Sequence, residues 1–350
     1  MQQDKAAGGL VGSPRRETVL VTGATGHVGN VLVRKLLGMG QRVRAMVPPG
    51  EDLEPLTGVD VEVVRADVRR ADELRKAVSG CSRVYHLAGI VTVSEGLWDL
   101  LESVNIRGTR NLVDVCLDSG VERLVYVSSV HALPEPSPGK AVRADLSFDP
   151  KSVFGDYARS KVLGSQEVLD AERRGLDAVL VFPSGIVGPY DFRLSELGTL
   201  FLLYARGRMK ALVDGAYDFV DVRDVVSGLI AAMDLGQRGR GYLLSGHRVT
   251  VREMCSVLGR TTGVRPPRIR VPMWLARAAA VFAPLYYRLR SARPIFTRYS
   301  LRVLRSNCTM DAGASVRELG FRARPFRETV EDTLAWFRGF GLLHPGPSSG

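Results

Sequence analysis

The rhythm of apolar and polar positions changes twice along this chain. Through the first 130 residues, short β-branched or apolar runs predict strands at Thr18–Thr22, Arg42–Val47, Val59–Ala66, Arg83–Leu87 and Arg123–Ser128. Stretches of helical period fall between them, at Asn30–Leu37, Ala71–Val78 and Leu97–Asp118. Such alternation implies right-handed strand–helix–strand units and a doubly wound parallel sheet covered on both faces, an α/β architecture. The interval from 131 to 154 is rich in proline and charge, and a long helix at Tyr157–Arg174 then leads into a strand at Ala178–Phe182. After that the pattern loosens. It predicts a turn-rich loop from Pro183 to Asp191, helices at Leu194–Arg206 and Asp224–Leu235, and short extended pieces at Phe219–Val222 and Gly241–Leu244. A helix over Thr250–Thr262 is expected to start with a capping box of Thr250 and Glu253. The expected organisation is a tail at 1–16, a ligand-binding α/β domain at 17–182 with its sheet completed by parts of 215–250, a smaller, mostly helical lobe at 183–340, and a tail at 341–350.

The first strand breaks into three glycines, Gly23, Gly26 and Gly29, before an amphipathic helix. Glycines there let the backbone take positive φ and approach a ligand closely. The helix start aims unpaired N–H groups and a positive dipole end at an anion. A dinucleotide pyrophosphate is the expected guest. The spacing is G-x-x-G-x-x-G and not the general G-x-G-x-x-G fingerprint, so on this stretch alone a ligand-free glycine turn stays open.

Composition narrows the classes. A hydrophobic fraction of 45% over 350 residues, with mean hydropathy +0.02, describes a soluble globular protein and excludes disordered or collagen-like chains. The net charge of +11 suits an anionic partner such as a phosphorylated cofactor, an acidic lipid or nucleic acid. No zinc-finger spacing or aromatic platform accompanies the charge, which argues against nucleic acid. Cys81, Cys116, Cys255 and Cys308 lie far apart and the five histidines show no ligand spacing, so neither a metal site nor a disulfide framework is expected. A cytoplasmic location follows from that cysteine usage and from an N-terminus without the apolar core of a signal peptide. The Val271–Leu304 stretch is separate: Trp274, Phe282, Leu285, Tyr286, Tyr287, Ile295, Phe296 and Tyr299 are interleaved with arginines. It fits an apolar substrate pocket or dimer interface with wet arginines, and alternatively a peripheral contact with an anionic membrane face.

Chemistry is concentrated in Tyr157-Ala-Arg-Ser-Lys161. Four residues apart on one helix, the phenol and the ammonium share a face. A nearby Lys⁺ favours the phenolate, which makes the phenol a usable acid or base for proton exchange with a carbonyl or alcohol. Ser128-Ser129 ends the fifth strand, at the carboxyl edge where a parallel sheet meets ligand. The glycine turn, Asp67-Val68 and His86-Leu-Ala-Gly89 open onto the same edge. Asp67 is positioned to accept from an adenine amine, Ala88-Gly89 to leave room for a ribose, and Asn105 to polarise or position the cofactor side. A helix cap, a tight turn and a packing amide are the respective alternatives.

In this order, Gly23/Gly26/Gly29, Asp67-Val68, His86-Leu-Ala-Gly89, Asn105-Ile-Arg-Gly-Thr, Ser128-Ser129 and Tyr157-x-x-x-Lys161 resemble the extended short-chain dehydrogenase/reductase family, the NAD-dependent epimerase/dehydratase superfamily. Pro183-Ser-Gly-Ile-Val-Gly-Pro189 and Phe219-Val-Asp-Val-Arg-Asp-Val225 look like its later landmarks. The resemblance implies a Rossmann domain with a C-terminal substrate lobe, a nicotinamide cofactor, a small-molecule substrate and a homodimer through the two long helices. It implies catalytic roles for Ser129, Tyr157 and Lys161. Cofactor contacts are implied at Gly23, Thr25, Gly26, His27, Val28, Gly29, Asp67, Val68, Leu87, Ala88, Gly89, Asn105, Tyr157, Lys161, Pro183 and Ser184, and substrate contacts at Ile90, Val130, Gly185 and Tyr190.

Gly185 stands where nucleotide-sugar epimerases and dehydratases commonly carry an Asn, which makes this chain look more like the dihydroflavonol reductase and 3β-hydroxysteroid dehydrogenase branch. The expected activity is therefore NAD(P)-dependent hydride transfer to or from a ketone or secondary alcohol on a bulky, apolar substrate. A nucleotide-sugar epimerase or dehydratase with the same triad is the alternative, and a non-catalytic dinucleotide sensor a second. The second strand ends in Val47 and Pro48 without the acid that would bond an adenosine 2′-hydroxyl, which tilts the cofactor toward NADP.

Overall fold

The computed structural model describes residues 18–280 and 298–343, apart from 93, 95, 138 and 306–308. Its strands are β1 (Thr18–Thr22), β2 (Arg42–Val47), β3 (Glu62–Arg65), β4 (Cys81–His86), β5 (Arg123–Val127), β6 (Ala178–Pro183), β7 (Gly185–Val187), β8 (Ala211–Val213), β9 (Ala216–Asp221), β10 (Gly241–Leu244), β11 (His247–Thr250) and β12 (Ile269–Val271). Seven form one parallel sheet in the order β10-β6-β5-β4-β1-β2-β3. The helices up to residue 262 are α1 (His27–Gly38), α2 (Ala71–Val78), α3 (Trp98–Leu101), α4 (Gly108–Asp118) and α5 (Asp156–Arg173), followed by α6 (Glu196–Ala205), α7 (Val222–Leu235) and α8 (Val251–Thr262), and further helices follow at Gly313–Leu319 and Phe326–Gly339.

Alternation along each strand decides which helices cover which face. Leu20, Val84, Leu124 and Leu180 pack with Leu74 of α2, Leu112 of α4 and Val162 of α5. Their sheet neighbours Val19, Val21, Val125 and Val179 point the other way, against Leu32 of α1 and Leu229 of α7. Each such buried aliphatic contributes about 1.5–3 kcal/mol. Because both faces are covered, the central strands read as continuous apolar runs, and this is why they were plain in the sequence.

The lobe carries more strand than its pattern suggests. The stretch expected as a turn-rich loop from Pro183 to Asp191 instead continues β6 through Pro183 and starts β7, which pairs with β9 in a three-stranded sheet β11-β9-β7. A further pair, β12-β8, lies apart from it. Strands of three or four residues are too short to show a period. The long helix expected over Leu97–Asp118 is interrupted, with a π-helical turn at Glu102–Arg107 between α3 and α4. The capping box of α8 forms as expected, Thr250 Oγ1 accepting from the Glu253 N–H at 3.2 Å.

Of the Val271–Leu304 stretch, residues 273–280 and Arg298–Val303 are helical, and Phe282, Leu285, Tyr286, Tyr287, Ile295 and Phe296 lie outside the described residues. Trp274 is exposed and Tyr299 buried. No described helix is long and apolar enough to cross a membrane.

The landmark at 219–225 joins the lobe to the sheet. Asp221, with a fully buried side chain, pairs with Arg223 at 2.8 Å, and Arg324 donates to Asp224 from Nη2 at 2.8 Å and from its backbone N–H at 2.7 Å. The Arg324 guanidinium also stands 3.6 Å from Asp221. Replacing Arg324→Met leaves two buried carboxylates short of a cation, and chemical denaturation at neutral pH is expected to register a loss of about 3 kcal/mol; a change within experimental error would contradict this account of the junction.

Candidate active site

The carboxyl ends of β1, β4, β5 and β6 open into one cavity of about 570 Å³. Gly23, Gly26, His27, Val28, Gly29, Leu87, Gly89, Ile90, Ser129, Tyr157, Lys161, Pro183, Ser184 and Gly185 all line it. The remaining residues singled out from the sequence stand behind or beside the wall. Thr25 is buried and donates to the Glu51 carboxylate at 2.5 Å, and Glu51 also pairs with Arg193. The Asp67 carboxylate is engaged by the Arg69 guanidinium at 2.5 Å, whose hydrogen bond holds it below the usual carboxylate range. Val68 and Val130 pack into the core on the α2–α4 side of the sheet. The structure places Tyr190 away from the cavity: its backbone takes φ +67, its carbonyl accepts from the Asn30 side chain, and its ring meets Arg34, Phe192 and Trp336.

The glycine turn is compressed by its surroundings. Gly23 has φ +65 and a Cβ there would lie 2.8 Å from the Ala88 nitrogen, while a Cβ on Gly29 would lie 2.1 Å from the Gly23 oxygen. α1 has no side-chain cap and no acid in its first turn, so its leading N–H groups face the cavity end uncompensated by side chains.

Behind the cavity, buried polar groups fix the loop after β4. His86 lies between Thr22 Oγ1 at 2.8 Å and Thr109 Oγ1 at 3.1 Å, and Thr22 Oγ1 accepts from the Leu87 and Ala88 N–H groups. Asn105, on the π-helical turn, brackets Ile90: Oδ1 accepts from its N–H at 2.7 Å and Nδ2 donates to its carbonyl at 3.0 Å. Nδ2 also donates to Ser160 Oγ at 2.9 Å. Asn105 therefore acts through the backbone it positions, with its amide already committed.

α5 carries Tyr157 and Lys161 along the cavity. Lys161 Nζ donates to the Val127 carbonyl at 2.7 Å and stands 4.6 Å from the Tyr126 ring centroid. Burial lowers its pKa to about 7. Burial likewise pushes the Tyr157 phenol up to about 12, opposed by a hydrogen bond from Ser129 and reinforced by the Glu196 carboxylate. The lowering expected from Lys161 does not act among the protein's own groups: desolvation penalises both charged forms at once, and a lysine lowered to about 7 has lost its charge well before a phenol near 12 ionises.

Sequence reasoning passed over His131, Glu196 and Tyr217, which line the cavity, together with an aliphatic wall of Leu197, Leu200, Met209, Leu212, Val251 and Met254. The position of His131 two residues after Ser129 was the available signal; Tyr217 and the wall had none.

A family model described as the NAD dependent epimerase/dehydratase family matches residues 19–244. The chain belongs to that family. It is an NAD(P)-dependent oxidoreductase of the extended short-chain dehydrogenase/reductase type. "Sterol demethylase protein B" of Methylococcus capsulatus is 39% identical over 93% of this chain and 100% of its own length. The "3beta-hydroxysteroid-dehydrogenase/decarboxylase isoform 1" of Arabidopsis thaliana is 28% identical over 91% of this chain and 79% of its own. The solved structure of gox2253 superposes with a TM-score of 0.83 at 31% identity, covering 93% of this chain and 99% of that one. The family's NAD(P) dinucleotide fits the residues present: the compressed turn and the uncapped start of α1 suit a pyrophosphate, and the small Gly89 leaves the loop after β4 open beside it.

A lysine whose folded pKa is depressed binds fewer protons than the unfolded chain between the two values, so its contribution to stability rises with pH over that window. For Lys161 the window runs from about 7 to the ordinary 10.5. Melting temperatures of the protein without dinucleotide are expected to rise relative to Lys161→Met as pH increases from about 7 to about 10, and parallel pH profiles would refute the assignment.

Proposed function

We propose that this enzyme moves hydride between nicotinamide and a ketone or secondary alcohol on a bulky, flat, apolar molecule, with Ser129, Tyr157 and Lys161 as its catalytic residues. The observation that carries this reading is the two-sided cavity, hydroxyl and ammonium groups at one end and aliphatic side chains over the other. When bound, the nicotinamide supplies or accepts the hydride. Ser129 holds the substrate oxygen, and Tyr157 exchanges a proton with it through its phenol. As a phenol raised to about 12, Tyr157 is a proton donor at neutral pH, which suits carbonyl reduction. Lys161, fixed by the Val127 carbonyl, holds the ribose and offsets the negative charge that develops on Tyr157. A sterol-like ring system matches both the wall and the names of the two relatives above.

Two features argue against a sugar nucleotide. A Cβ on Gly185 would fall 2.2 Å from the Tyr217 ring, so an Asn has no room there. Among the described lining residues Lys161 is the lone ammonium or guanidinium, too little to hold a second diphosphate.

For cofactor choice we favour NADP. No carboxylate ends β2, and the nearest acid, Glu51, is occupied by Thr25 and Arg193. Fluorescence titration is expected to give a lower Kd for NADPH than for NADH; the reverse order would reject this preference. In Tyr157→Phe, NADPH binding is expected to persist while kcat on ketone substrates falls about a thousandfold, and a variant that keeps its turnover would remove the phenol from the mechanism.

A further inference from the structure

His131 shares the wall with Ser129 and Tyr157, yet the proton transfer above makes no use of it. Its backbone N–H donates to Ser129 Oγ at 3.2 Å, which ties the ring to the reacting end of the cavity. The imidazole stacks on Tyr217 with ring centroids 6.1 Å apart and an interplanar angle of 14°. It meets Tyr157 and Tyr299 edge-on at 6.4 and 5.7 Å. Nε2 lies 2.9 Å from Tyr217 Oη.

A phenol is the better donor and an imidazole nitrogen the better acceptor, so Tyr217 donates to Nε2 and the ring proton sits on Nδ1. Nδ1 has no hydrogen-bond partner among the described residues. Burial lowers the imidazole to about 4, so it is neutral at physiological pH even with Lys161 and Glu196 on the same cavity wall. Tyr299, edge-on to the ring, is nine-tenths buried with its hydroxyl unpartnered among the described residues. Polar edges therefore gather at this end beyond what one carbonyl needs.

We propose, resting on the reductase reading above, that His131 held by Tyr217 selects the head of the substrate: Nδ1–H takes an acceptor oxygen one carbon removed from the reacting carbonyl, so a β-keto acid or ester is preferred over an isolated ketone. The two oxygens of such a head point the same way, one to Ser129 and Tyr157 and the other to His131. A donor at Nδ1 matches a carbonyl or carboxylate oxygen. Without that oxygen the donor loses its water and gains nothing, which lowers the rate for the plain ketone.

The test compares kcat/KM for methyl 1-tetralone-2-carboxylate, a flat β-keto ester, with that for 2-methyl-1-tetralone, which lacks only the ester. The unaltered enzyme is expected to favour the keto ester about tenfold, and His131→Phe to bring the two probes within about twofold of each other. NADPH binding by the variant reports its folding. Should His131→Phe fail to fold, Tyr217→Phe, which removes the donor to Nε2, decides by the same ratio. An unchanged ratio in the variant, or no preference in the unaltered enzyme, overturns the role of His131 alone. Turnover of neither probe by the unaltered enzyme overturns the reductase reading and this inference with it.

Discussion

Three buried side chains, Thr22, His86 and Thr109, hold the carboxyl edge of the sheet in one piece. Their hydrogen bonds run in a single direction. Thr22 accepts from the Leu87 and Ala88 N–H groups, so its own hydroxyl donates to His86 Nδ1. His86 then donates from Nε2 to Thr109, whose hydroxyl donates to the Asn105 carbonyl at 2.8 Å. Burial lowers His86 to about 3, so the imidazole stays neutral and the direction does not reverse with ordinary changes of pH. Each link lost would strand a buried donor or acceptor at about 1–3 kcal/mol. Through these bonds β1, β4 and the π-helical turn are positioned together, and the glycine turn, the ribose side and Ile90 inherit that geometry.

Helix α5 is fixed to this edge by a different device. Lys161 reaches across to the last carbonyl of β5, and Ser160, its neighbour in sequence, accepts from Asn105. One helix is thereby connected both to the strand that delivers Ser129 and to the loop that delivers Gly89. The same burial that secures these bonds disfavours charge on the lysine and on the phenol.

How much of this was legible in the sequence depends on the length of the signal. β1, β2 and β10 and helix α2 stood out with their boundaries because short apolar runs beside punctuating glycines marked the strands and a charged surface pattern marked the helix. The meeting of Gly23 and Ser129 followed from the rule that parallel strands present ligands at their carboxyl ends, whereas Tyr157 and Lys161 were joined to them by the family resemblance. The π-helical turn was hidden, since its residues keep helical composition while the hydrogen bonds shift by one. Tyr217 and the aliphatic wall were hidden for another reason: they come from short strands and helix faces whose position depends on tertiary packing. The electrostatic balance at Tyr157 was equally out of reach, because spacing reveals neighbours and not desolvation.

The two ends of the cavity come from different parts of the chain. Residues before Tyr190 supply the glycine turn, Ser129, Tyr157 and Lys161, and residues from 196 onward supply most of the apolar wall. The reacting end and the apolar wall are thus written in separate stretches of sequence, with the β9–α7 junction between them. A lineage can reshape its wall one side chain at a time and meet a new carbon skeleton while the chemistry at the sheet edge stays the same.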